Sequence, residues 1–143
     1  MSPLEQATVR RKLAVMLEAL DRLRSASGLT LADWMRDADH RDASKHRLQV
    51  CIEAAIDVNA HLLVGAGHPA PADAYQSFLD AAEKLSLLPR DDALRLAPTA
   101  GLRNRLVHRY DSLDEELVLA GVEELLVVLP RFIEAVEAYL SRR

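Results

Sequence analysis

The chain has 143 residues, half of them hydrophobic but only 4% aromatic, and a formal net charge of -4. That length fits one domain spanning residues 1–143, and the acidic balance argues against a protein that grips nucleic acid over its whole surface. The single cysteine, Cys51, excludes an intramolecular disulfide and a cysteine-rich metal site, and points to a reducing, cytoplasmic setting.

Ser2-Pro3-Leu4-Glu5 is a helix start, with Ser2 as cap, Pro3 in the first turn and Glu5 reaching back. The same stretch lacks the apolar core of a signal peptide. Leu13, Met16, Leu17 and Leu20 follow at helical spacing, and the pattern fades at Ser27-Gly28. Thr30 to Met35 reads as one or two helical turns, and Asp39 to Ser44 is too polar for a core. A long apolar stripe starts near Lys45 and runs through Leu48, Ile52, Ile56 and Leu63 until Gly65, Gly67 and Pro69 stop it. No uncharged apolar stretch of about 18 residues occurs, so no membrane span is expected.

Pro71 to Ala74 opens a third face made by Tyr75, Phe78, Leu79, Ala82 and Leu85. Pro89-Arg90-Asp91-Asp92 opens a fourth, through Leu94, Ala97 and Leu102, which Pro98 bends or restarts. Ser112-Leu113-Asp114-Glu115 has the form of a capping box before the last helix, which Pro130 should kink without ending. Nothing alternates with strand period. The fold class is therefore all-α, an antiparallel bundle of four to five helices.

One stretch breaks this pattern: Arg103-Asn104-Arg105-Leu106-Val107-His108-Arg109-Tyr110. Arg90, Arg95, Arg103, Arg105 and Arg109 face only Asp91 and Asp92 there, a basic patch that the net charge hides. Arginine stays charged and offers a planar fork that fits phosphate. Histidine titrates near neutrality and can move a proton. RNA carries its own nucleophile, the 2′-hydroxyl. A base for that proton and a cation for the phosphorane charge are enough to cut the chain, leaving a 2′,3′-cyclic phosphate and a 5′-hydroxyl.

Geometry constrains this pairing. Positions five apart on an ideal helix differ by roughly 140° around the axis. Arg103 and His108 do not share a narrow face, whereas Asn104 and His108 do. A working pair needs either a bend near His108 or a second chain bringing another copy, which a symmetric dimer supplies. The bland alternative is a solvated or capping arrangement of surface charge.

The run Arg103-Asn104-x-x-x-His108-x-Tyr110 resembles the motif of HepT-type HEPN toxins. The likeness extends to Gln49–Leu63 as a long central helix carrying Glu53, Asp57 and His61, to Tyr75–Pro89, and to the long final helix. The resemblance implies a dimeric, metal-independent ribonuclease acting on RNA without a cofactor, the toxin half of a toxin–antitoxin pair. Arg103 and His108 would be its catalytic residues, with Asn104 orienting the motif and Arg105 and Arg109 adding hold on RNA. Tyr110 would be the tyrosine to which a partner nucleotidyltransferase antitoxin adds AMP. That group would bring bulk and negative charge to the cleft. The alternative is a non-catalytic companion or substrate-binding subunit of a nucleotidyltransferase, which would not need the Arg–His pair.

Other residues carry less. His40 and His46 read as surface and His61 as packed, while His68 sits in a Gly/Pro loop. None has zinc spacing. Glu53 and Asp57 share a helix face and either line a dimer cleft, contact Arg103 or form a plain surface pair.

Overall fold

A computed structural model of the chain describes residues 1–108 and 112–142, in which seven α-helices and no strand occur. Five of the helices have ten residues or more, in line with the bundle read from the sequence.

Helix α1 (Pro3–Leu23) opens with the expected capping box: the Ser2 hydroxyl accepts from the Glu5 amide, and the Glu5 carboxylate accepts from the Ser2 amide. It buries Val9, Leu13, Met16, Leu20 and Leu23, whereas Leu17 is exposed, one residue off the core stripe. A single 3₁₀ turn (Arg24–Ala26) leads to Gly28, at φ +75°, and α2 (Leu31–Arg36) starts from the Thr30 cap.

Helix α3 (Ala38–Gly65) starts seven residues before Lys45 because Asp37 caps it, its side chain accepting from the His40 amide. Its first turns stay at the surface, as their polarity requires, but Ser44 is fully buried. By length and composition alone α3 is apolar enough to cross a bilayer, but it is interrupted by Glu53 and Asp57 and half of its apolar stretch is buried against its neighbours. It packs on α1, α2, α4 and α6 and forms the centre of the bundle. Met1 against Gly65, Met16 against Cys51 and Ser25 against His40 set α1 antiparallel to it.

Helix α4 (Ala74–Leu85) is capped by Asp73 and ends at Ser86 in the left-handed region. Its Phe78 meets Phe132 edge to face, with centroids 6.1 Å apart. Tyr75 is 44% exposed and sits at the rim, not in the core. Pro98 separates α5 (Arg90–Leu96) from α6 (Thr99–His108), and Leu94 is turned outward. Helix α7 (Glu115–Ser141) continues through Pro130. Its cap is Asp114, not Ser112: the Asp114 carboxylate accepts from the Glu116 and Leu117 amides. A carboxylate at a helix N-terminus also meets the positive end of the dipole.

The first residue of α7 ties three helices together. Glu115 accepts from Trp34 Nε1 of α2 at 2.8 Å and from Lys45 Nζ of α3 at 2.5 Å. The Lys45 side chain is 4% exposed and that of Glu115 20%. Removing the cation strands a shielded carboxylate, so Lys45→Ala is expected to lower the unfolding free energy by about 3 kcal/mol in a denaturant titration.

Cys51 is fully buried, and desolvation pushes its thiol up to about 12. The folded protein should therefore resist a thiol reagent at pH 8 and react fully once denatured. Fast labelling of native protein would show that the α1–α3 seam opens readily.

Candidate functional site

The site is built on α6. Backbone bonds from Ala100 to Ala97 and from Gly101 to Pro98 turn the chain after α5, and Thr99 Oγ1 bonds back to Leu96 at 2.5 Å. Thr99, Ala100, Leu102 and Leu106 face the core. Leu102 packs so close to α7 that a Cβ at Gly121 would meet its terminal methyl, and a larger residue there would require Leu102 to turn aside.

The opposite face of α6 is open. Gly101, Asn104, Arg105 and His108 line one depression of about 450 Å³. Asn104 and His108 are exposed on the shared face that their spacing requires. Arg103 lies elsewhere. It is half-buried, and its Nε is shielded from solvent with no hydrogen-bond partner among the described residues. Helix α6 stays regular through His108, so no bend closes the angle between the two residues. One chain thus holds the arginine on the inner side of the helix and the histidine on the outer side.

Arg10, Arg22, Arg36, Arg95 and Arg131 are ion-paired, whereas Arg103 is the one arginine among the described residues with a buried nitrogen that has no partner. A partly desolvated guanidinium without an anion is costly unless a ligand supplies one. The basic patch read from the sequence changes at its edges: Arg95 is paired by Glu124, while Asp92, one of the acids set against the patch, is taken up by Arg131, both across to α7. Among the described residues Arg105 and Arg103 remain without an acidic partner on α6. Arg109 and Tyr110 lie outside the described residues.

Glu53 and Asp57 do not contact Arg103. Glu53 accepts from Gln49, and Asp57 pairs with Lys12 of α1 at 3.2 Å. His61 is exposed beside Asp57 rather than packed. His40 hydrogen-bonds Ser25 at 2.9 Å. The structure adds one feature that the sequence reading passed over. Asp42, Lys45, His46 and Gln49 of α3 surround a cavity of about 140 Å³ beside Leu106 of α6. Their spacing of three and four was the available signal, a polar helix face next to the motif helix.

Comparison with known proteins follows the same lines. The sequence model described as ribonuclease HepT-like matches residues 16–136. The tRNA nuclease HepT of Aphanizomenon flos-aquae is 28% identical over 140 residues, covering 98% of this chain and 95% of that protein. A relative from Archaeoglobus fulgidus with an RNase designation is 37% identical over 97 residues, covering 68% of this chain and 72% of its own. Among solved structures, the tri-AMPylated HEPN toxin of Shewanella oneidensis in complex with its MNT antitoxin superposes with a TM-score of 0.79 at 25% identity, covering 96% of this chain and 99% of that one. With the matched model spanning most of the sequence, and with the motif on a helix of the matching bundle, the chain belongs to the ribonuclease HepT-like family.

Proposed function

We propose that this chain is the RNA-cleaving toxin of a toxin–antitoxin pair, acting in the cytoplasm as one domain per subunit and as a homodimer. The observation that carries the reading is Arg103, a half-buried guanidinium without an anion, on the same helix as the exposed pair Asn104 and His108.

His108 takes the proton of a ribose 2′-hydroxyl. The freed oxygen attacks the adjacent phosphorus, and negative charge gathers on the non-bridging oxygens. The Arg103 fork holds that charge. The 5′-oxygen leaves and takes up a proton, so the products are a 2′,3′-cyclic phosphate and a 5′-hydroxyl. Asn104 stands one turn before His108 and orients the exposed face. Because Arg103 and His108 diverge around α6, the working pair combines residues of two copies across a symmetric cleft.

Restraint falls to a small nucleotidyltransferase that adds AMP to Tyr110, two residues beyond His108. The Shewanella oneidensis relative, tri-AMPylated and bound to an MNT antitoxin, supports this assignment. Phosphate attached beside the motif competes for the arginines that would hold RNA.

The test is inducible expression in a bacterial host, with and without the partner nucleotidyltransferase, together with cleavage of purified RNA. Growth arrest relieved by the partner, and fragments ending in cyclic phosphate, are expected. A purified chain inert toward every RNA and harmless on expression would overturn the reading.

A further inference from the structure

A second hollow adjoins the first. It occupies about 290 Å³ between α5, α6 and α7, and Arg105 belongs to the walls of both. Its floor is aliphatic, made by Pro98, Leu102, Leu117 and Ala120. Leu117 is 51% exposed there. At the far rim Arg95 binds Glu124 through Oε1 alone. The hollow therefore combines an apolar floor, a cation at the edge it shares with the His108 depression, and a carboxylate oxygen at the other edge.

We infer that this hollow is the subsite for the nucleobase next to the cleaved phosphodiester, with Arg105 holding the phosphate between the two depressions. The inference rests on the ribonuclease reading and deepens it. A base is apolar on its faces and polar at its rim, which matches a floor of aliphatic side chains with polar groups around it. A guanidinium at the junction suits the phosphate that links two nucleotides. Glu124 Oε2 accepts hydrogen bonds and donates none, so it favours a base with an exocyclic amino group, adenine, cytosine or guanine, over uracil. The ligand class is thus single-stranded RNA with an amino-bearing base beside the cut.

The experiment uses short oligonucleotides with one ribose, so that a single phosphate can be cut, and all four bases in turn on either side of it. Wild type, Leu117→Glu and Glu124→Gln are compared for KM and base preference. Binding of a 2′-O-methyl copy of the best sequence is followed by fluorescence anisotropy. Leu117→Glu should raise KM and the anisotropy Kd about tenfold, the scale of one lost base contact. Glu124→Gln should erase the preference for amino-bearing bases. Active wild type with KM, Kd and preference unchanged in both variants would overturn the subsite while leaving the ribonuclease reading intact. Inactive wild type that still binds the methylated copy in a Leu117-dependent way would keep the subsite and overturn the chemistry. Should Leu117→Glu only split a dimer in sedimentation, the hollow is covered by a second copy and the inference falls.

Discussion

His108→Ala is expected to lower the cleavage rate at a single scissile phosphate by about 10²–10⁴-fold, the range of a lost general base. Its thermal midpoint should not move, because His108 is exposed at the end of α6. Arg103→Met should cost about 10²–10³-fold through loss of charge stabilisation. Its effect on folding has the opposite sign to most half-buried substitutions. The arginine holds a shielded Nε with no partner, so an apolar side chain of similar length relieves a cost and the variant should melt at or above the wild-type temperature. The two measurements are cleavage of end-labelled RNA and a thermal melt on the same preparations. Cleavage at wild-type rate by either variant would remove that residue from the chemistry. A clear drop in the melting temperature of Arg103→Met would assign Arg103 to the fold instead.

Mixing these two inactive chains should restore activity. When the two variants are co-expressed with separate tags and the mixed dimer is purified, one of its two composite sites keeps both Arg103 and His108. The mixed dimer is expected to cut RNA at about half the wild-type rate per dimer, against a background of about 10²-fold less for each parent. The expectation comes from the regular course of α6, which leaves Arg103 and His108 on different sides of the helix. If one chain carried a complete site, each subunit of the mixed dimer would lack one member and the purified species would be as inactive as its parents.

Much of this was legible in the sequence. The Ser2–Glu5 box, the stop at Gly65 and the break at Pro98 are local signals, set within a few residues, and each stands where the pattern places it. The divergence of Arg103 and His108 follows from helix geometry alone. Three things were not legible. Helix α3 begins at Ala38 because Asp37 caps it, and a polar first turn looks like a loop when only the apolar stripe is followed. Arg95 is neutralised by Glu124, 29 positions away, and a long-range pair leaves no trace in local spacing. Arg103 is half-buried, where charge patterning would place an arginine in water. Tyr75 and Leu17 erred in the other direction, since helix period gives a face but not where the covering neighbours end.

The tie of Glu115 to Trp34 and Lys45 has a consequence for the order of assembly on the ribosome. The partners of Glu115 lie 81 and 70 positions earlier in the chain, so both are synthesised well before it. Until α7 emerges, Lys45 lacks this carboxylate and the motif helix lacks the Gly121 seat for Leu102. Contacts this distant in sequence close late. A nascent or truncated chain that ends before α7 therefore carries the motif helix without one of the helices it packs on, so the α6 site is complete only once synthesis has passed α7.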